Sequence, residues 1–188
     1  MAIGFLLGVL IGILLSRKPK LSGIVLRILS VFNTIPGIVF IGLLVLLWDA
    51  SSNTVLVALG IYATFPVLKN TYAGLVSVDQ QFIEAAKGCG MSAMQSLMKV
   101  ELPLAMPTII GGLRMSTVYT VSWAVLASMI GGGGLGDFIY AGLSSDNSEL
   151  ILMGAIPAAL LAFVLGSLVD ALQRRVVPKG VQKGGDDI

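Results

Sequence analysis

Ser116, Tyr119, Thr120 and Trp123 fall at i, i+3, i+4 and i+7 within an otherwise apolar run. On a helix that spacing gathers two hydroxyls, a phenol and an indole into one stripe. Aromatic faces attract a quaternary ammonium by cation-π contact, worth about 0.5–2 kcal/mol, and hydroxyls can steady a passing carboxylate, so the stripe is a candidate lining for a solute path. The same spacing also serves helix packing through interhelical hydrogen bonds, and the pattern fits both readings. Asn33, Thr34 and Pro36, in N-T-I-P-G at 33–37, form a second candidate with Pro66. A proline removes one helical hydrogen bond, which permits either a hinge or an ordinary kink.

Other chemistry is excluded by what the chain lacks. It has no histidine and a single cysteine, Cys89, so the usual zinc sites, His-based catalytic triads and internal disulfides are unavailable. No catalytic residue and no metal site are expected. G-G-G-G-L-G at 131–136 satisfies a dinucleotide-binding pattern, but it follows a long apolar run and not a strand, and is better read as a tight turn. No G-x-x-x-x-G-K-[ST] occurs, so the chain has no phosphate loop of its own. A net charge of +2, from 12 Lys and Arg against 10 Asp and Glu, excludes nucleic acid as a main partner.

The elements that carry these residues are membrane spans. Of 188 residues, 56% are hydrophobic and only 12% charged, where a soluble domain has about a quarter charged. Mean hydropathy is +0.94. Apolar runs at 2–15, 28–47, 54–68, 104–130 and 150–172 predict five spans. The third extends through Lys69 to Leu75, since a lysine near a helix end can snorkel to the headgroups. The first covers roughly 21 Å of a hydrocarbon core about 30 Å thick, so an incomplete first span is expected, its outer end missing or its start unusually late. It does not read as a signal peptide, because Arg17, Lys18 and Lys20 follow the apolar stretch instead of preceding it.

Positive charge partitions cleanly. Arg17, Lys18, Lys20, Arg27, Lys69, Lys87, Lys99, Arg114, Arg174, Arg175, Lys179 and Lys183 flank one set of connections. The stretches 48–53 and 131–149 carry Asp49, Asp137, Asp146 and Glu149 without any Lys or Arg. The first set is expected in the cytoplasm, giving an external N-terminus and a cytoplasmic C-terminus. Gly4, Gly8 and Gly12, and Ala158, Ala162 and Gly166, recur one turn apart as packing faces, for helices of this chain or of a second subunit. Residues 179–188, rich in Gly and Asp, read as a flexible polar tail.

Residues 77–103 are too polar to span, yet helical in period: Phe82, Ala85, Ala86 and Cys89, then Met94, Leu97 and Met98. Gly90 can end a first helix in the left-handed region, Ser92 is placed to cap a second, and Pro103 is expected to end it. This predicts a short helix-turn-helix with methionines at its bend, suited to a partner's groove or to packing on its own membrane domain.

E-A-A-K-G-C-G at 84–90, followed after nine residues by V-E-L-P at 100–103, resembles the EAA loop of bacterial ABC importer permeases. Glu84, Ala85, Ala86, Gly90, Leu102 and Pro103 match that pattern, and Val100 stands where Ile is usual. Within that family, I-Y-A-T-F-P-V-L-K-N-T-Y-A-G-L at 61–75, N-T-I-P-G at 33–37 and S-W-A-V-L-A-S-M-I-G-G-G-G-L-G-D-F-I at 122–139 are similar to permeases for glycine betaine, carnitine, choline or proline betaine. The likeness runs from about Gly8 to Asp170, although methionine importer permeases share G-G-L-G-D and an ergothioneine-type relative stays compatible.

The resemblance implies an all-α polytopic membrane protein of about five transmembrane helices with a cytoplasmic helix-turn-helix coupling loop. Residues 1–178 would form one transmembrane domain, its coupling loop at 77–103. In that loop Gly90, Met91, Ser92, Ala93, Met94 and Leu97 would touch an ATPase. The implied partners are two ATPase subunits carrying ATP and Mg, a second permease copy or paralogue, an extracytoplasmic substrate-binding protein and the bilayer of a bacterial or archaeal plasma membrane. The chain itself would bind no cofactor and catalyse nothing. A methionine or other amino-acid importer is the alternative cargo reading. A nucleotide-independent small channel or scaffold is the alternative class.

Overall fold

The computed structural model describes residues 2–48 and 52–177, apart from the side chains of Asn33 and Ser52. Asp49 and the tail expected at 179–188 lie outside them. The described residues are helical throughout, without a strand: α1 Ala2–Ser16, α2 Pro19–Thr34, α3 Gly37–Trp48, α4 Ser52–Val76, α5 Gln80–Gly88, α6 Ala93–Ser96, α7 Leu102–Ala127, α8 Leu135–Ser144 and α9 Ser148–Val176. A π-turn, Leu97–Glu101, joins α6 to α7, and a 3₁₀ turn, Ser128–Ile130, closes α7.

Helix α4 is the centre of the bundle. Ala58, Ala63, Val67 and Thr71 are at most 1% exposed on it. Helix α1 lies against one side, and the glycine ladder seen in the sequence is the reason. A Cβ on Gly8 would sit 2.9 Å from the Thr64 carbonyl oxygen and 2.8 Å from Val67 Cβ, and one on Gly12 would sit 2.7 Å from Thr71 Cβ. These glycines therefore pack within the chain, backbone close to backbone. Helix α7 takes another side, where Gly112 faces the Pro66 carbonyl and Asn70 and Gly74 faces Ala105. Ser116 Oγ donates to the Ala63 carbonyl at 2.7 Å across that contact. Among the described residues a Cβ on Gly166 would meet nothing within 4 Å, so the second small-residue face is only partly used.

This contact makes a direct prediction. A Gly8→Val variant overpacks the α1–α4 seam and should lose about 1–3 kcal/mol, read as a lower Tm in detergent. Gly23→Ala, in α2 with open space around it, should leave Tm unchanged or slightly raised.

Three helical stretches are long and apolar enough to cross a membrane, Asn53–Val76, Ala93–Ile130 and Ser148–Val176. The last carries a bare apolar surface including Leu152, Ile156, Leu160 and Phe163, as lipid contact requires. Helix α1, Ala2–Ser16, is apolar but shorter.

The continuous second span expected at 28–47 is not formed. Helices α2 and α3 meet at 91°. Ile35 is extended, at φ −70° and ψ 123°, because the residue before a proline is pushed out of the helical region, and Pro36 has no N–H with which to continue the ladder. Pro66, the other hinge candidate, lies inside an unbroken α4. The 131–149 connection, expected to hold a tight turn at its 131–136 glycine run, also contains α8 folded back onto α9. Gly131, Gly133 and Gly134 make the turn with positive φ, and Gly142 and Gly154 give the close approach of the two helices.

Candidate coupling loop and solute cleft

The loop between α4 and α7 is built from local signals. Asp79 caps α5, its carboxylate accepting from the Gln81 N–H at 3.0 Å. At the other end Gly90 has φ +76°, the Gly90 N–H donates to the Lys87 carbonyl at 2.9 Å and the Met91 N–H to the Ala86 carbonyl at 3.1 Å. That is the Schellman arrangement, which needs a left-handed residue where the chain leaves the helix. Ser92 then starts α6 with a reciprocal capping box: its N–H donates to Gln95 Oε1 at 2.8 Å, and its Oγ accepts from the Gln95 N–H at 3.3 Å.

Pro103 does not end this second helix. The Leu102 N–H donates five residues back to the Leu97 carbonyl, and the widened turn lets α6 run into α7 with Pro103 in the first turn of α7, where a missing N–H costs nothing. The loop is thus rigidly continuous with a spanning helix.

The two faces of the loop differ. Ala86 and Leu97 are buried, Leu97 with Leu75, Ala105 and Ile109 in a core that Phe5, Val9 and Ile13 of α1 complete. Phe82, Met94 and Met98 are 46%, 64% and 57% exposed, and Glu84, Ala85, Ser92 and Ala93 are exposed beside them, with Met91 half-buried. Beneath, Glu101 is buried and holds two partners. Arg17 Nη2 donates to its Oε2 at 2.7 Å, and Ser96 Oγ donates to its Oε1 at 3.2 Å. This clasp ties the α1–α2 turn to the foot of the loop. Motif spacing passed over Glu101 because it occupies the variable place in V-E-L-P, and nothing local announces a partner 84 positions away.

The stripe on α7 divides in two. Ser116 is buried against α4, and Thr120 Oγ1 donates to the Ser116 carbonyl of its own helix at 2.7 Å. Tyr119 and Trp123 instead line cavities between α2, α4 and α7. A first cavity, about 340 Å³, is bounded by Leu26, Ser30, Phe65, Lys69, Asn70, Tyr72, Met115 and Tyr119 among others. A second, about 250 Å³, is bounded by Thr34, Ile35, Pro36, Tyr62, Pro66, Tyr119 and Trp123. Pro66 and Tyr119 belong to both, so the two cavities adjoin along one α2–α4–α7 cleft wall. Thr34 and Pro36 are brought to Tyr119 and Trp123, while Ser116 and Thr120 are not, and the side chain of Asn33 lies outside the described residues.

The aromatic end is well braced. Ring centroids of Tyr62 lie 5.2 Å from Phe40, 5.8 Å from Phe65 and 5.7 Å from Trp123. The Tyr62 hydroxyl donates to the Ile35 carbonyl at 2.7 Å, which satisfies the backbone at the α2–α3 break. Gly37 gives room for the Trp123 ring, which a Cβ there would strike. Tyr62, Pro66 and Lys69 follow i, i+4, i+7 on α4, a signal that spacing could have supplied. Among the described residues no three of His, Cys, Asp or Glu are grouped to hold a metal.

The profile of the binding-protein-dependent transport system inner membrane component matches residues 4–180, nearly the whole chain. The chain belongs to this family. It is 38% identical to the glycine betaine/carnitine/choline transport system permease protein OpuCB of Bacillus subtilis over 180 residues, 96% of this chain and 83% of that protein. Against the carnitine transport permease protein OpuCB of Listeria monocytogenes it is 39% identical over 181 residues, 96% of this chain and 83% of the relative. The fold is similar to that of the MetNI methionine ABC transporter in its inward-facing conformations, with a TM-score of 0.82 at 22% identity over 94% of this chain and 88% of that one. This family member is therefore an all-α, multi-pass membrane subunit of a transport system.

Proposed function

We propose that this chain is the permease subunit of an ABC importer that takes up a quaternary-ammonium osmoprotectant, glycine betaine, carnitine or choline. The observation that carries the reading is the two-faced loop, rigidly continuous with α7, in a chain 38% identical to an osmoprotectant permease. Two ATPase subunits, with ATP and Mg, hydrolyse nucleotide, and their closure pulls on the exposed face around Glu84, Gly90, Met94 and Met98. The anchored face, through Leu97 and the π-turn, passes the movement to α7. Ala85, Ala86, Met91, Ser92, Ala93, Leu102 and Pro103 shape the same loop. A second permease subunit, a copy or a paralogue, completes the wall, and an extracytoplasmic binding protein delivers the solute.

The loop end faces the cytoplasm in this reading. The Arg17–Glu101 pair supports it by placing the basic α1–α2 turn and the loop at one end of the bundle, where positive charge is retained inside. That puts the N-terminus outside and the C-terminus inside. Alternating access follows: loops drawn together open the helices outward, and hydrolysis resets them. Asn33, Thr34, Pro36, Ser116, Tyr119, Thr120 and Trp123 belong to the path and its supporting wall.

The test is uptake of radiolabelled glycine betaine, carnitine and choline by a transport-deficient bacterium expressing this chain with its neighbouring ATPase and binding protein. Saturable uptake, lost in a Glu84→Lys variant that still inserts, is the expected result. Uptake of none of the three by an assembled complex would move the cargo to methionine or another amino acid. Uptake unchanged in Glu84→Lys would remove the coupling role of the loop.

A further inference from the structure

Lys69, expected from the sequence to snorkel toward the headgroups, has no part in the path proposed above. Lys69 is exposed, seven residues short of the end of α4, and among the described residues it makes no ion pair. Arg114, the cation of the neighbouring helix, has Asp170 at 3.6 Å. An unpaired ammonium on a spanning helix is costly unless it reaches the interface or meets an anion. Lys69 borders the same cleft as Tyr119, and Tyr119 continues that cleft to Tyr62 and Trp123.

The spacing suits a ligand of two charges. Tyr62 and Lys69 are seven residues apart on one face of α4, about 10 Å along the axis, and the four-carbon stem of the lysine shortens the gap. On α7, Met115, Tyr119 and Trp123 form the facing row at i, i+4 and i+8. One end of the cleft is thus a cluster of ring faces, attractive to an ammonium that offers methyl groups and no hydrogen-bond donor. The other end is the Lys69 ammonium, attractive to a carboxylate, while the amide nitrogen of neighbouring Asn70 is taken up by the Pro66 carbonyl at 2.8 Å.

Resting on the osmoprotectant reading above, we propose that the α2–α4–α7 cleft is an intramembrane binding site that selects zwitterions: Lys69 holds the carboxylate, while Tyr119 and Trp123 hold the quaternary ammonium. Choline, which has the same ammonium but no carboxylate, would occupy only the aromatic end. Discrimination would therefore continue inside the membrane after delivery.

Saturation-transfer NMR tests this on the assembled permease–ATPase complex in nanodiscs, without binding protein, with glycine betaine and choline as probes. The method reports weak ligands through their N-methyl signals. Wild type should saturate with both, and Lys69→Met should weaken glycine betaine about ten-fold, the equivalent of one charge-assisted hydrogen bond. Choline should change less than about two-fold, which also shows that the cleft is intact, and Lys69→Arg should recover most of the betaine binding. Trp123→Ala should weaken both. No transfer to either probe in wild type, as when the second permease subunit fills the cleft, would overturn the proposal. Equal loss of both probes in Lys69→Met, or loss of neither, would also overturn it. Uptake by the wild-type complex is measured alongside. Absence of osmoprotectant uptake fails the functional reading, whereas uptake with a Lys69-insensitive NMR response fails the cleft alone.

Discussion

A Gly90→Val variant should insert normally and lose ATP-coupled uptake by about ten-fold or more, because each 1.4 kcal/mol of misplacement converts to a decade. The cause is the backbone and not crowding. A Cβ at position 90 meets nothing within 4 Å, but φ is +76°, a region that costs a β-branched residue about 1–3 kcal/mol. To relieve that strain the chain must give up the Met91–Ala86 and Gly90–Lys87 bonds and redirect α6 away from α5. The exposed face at Met94 would then no longer present one surface with Glu84. Gly90→Asn separates this from a general effect of substitution. Asparagine tolerates the left-handed region, so it should retain most of the uptake. Uptake in the valine variant equal to wild type would show that the turn does not set the docking surface.

Arg17→Met should destabilise the bundle by about 1–3 kcal/mol and reduce uptake several-fold. Stranding one member of a fully buried pair costs about 3–5 kcal/mol, but the Arg17 side chain is 44% exposed, so solvent already screens part of the interaction. Glu101 is the vulnerable partner, at 5% side-chain exposure, left with Ser96 alone. The double variant Arg17→Met with Glu101→Met removes the stranded charge and should recover the thermal stability. Uptake should stay low in it if the clasp transmits loop movement to the α1–α2 turn. Full recovery of both quantities would reduce the pair to a structural contact. Thermal unfolding of the purified complex and uptake by the same strains give the two readouts.

The division between residue pattern and tertiary structure runs along sequence distance. Four of the five apolar runs lie in single helical stretches, 28–47 being broken at Ile35–Pro36, and α4 reaches past Lys69 to Val76. The Gly90 turn and the Ser92 cap were also readable, since a left-handed residue and a side-chain cap act on their own few neighbours. Pro103 was misread for the same local reason. A proline normally ends a helix, but the π-turn before it placed the missing N–H at the start of α7, where no bond was due.

The site depended on more than spacing. Ser116, Tyr119, Thr120 and Trp123 span about 100° of arc on α7, wide enough for one edge to pack on Ala63 while the other lines the cleft. Periodicity says which residues share a face and is silent on what covers it. Helix α8 hid in a glycine-rich stretch because Gly142 serves contact with α9 and Gly136 contact with Val125 and Ser128, while Gly131, Gly133 and Gly134 make the turn before it.

By itself the amino-acid sequence determined that this is a helical membrane protein whose single cysteine can form no internal disulfide, and it located the loop by its motif. Only the tertiary structure decided that Glu101 is held by Arg17, that α1 packs on its own α4, and that Lys69 shares a cleft with Tyr119 and Trp123. Those pairings join residues tens of positions apart, and their energies come from burial and close approach, which exist only once the helices have packed.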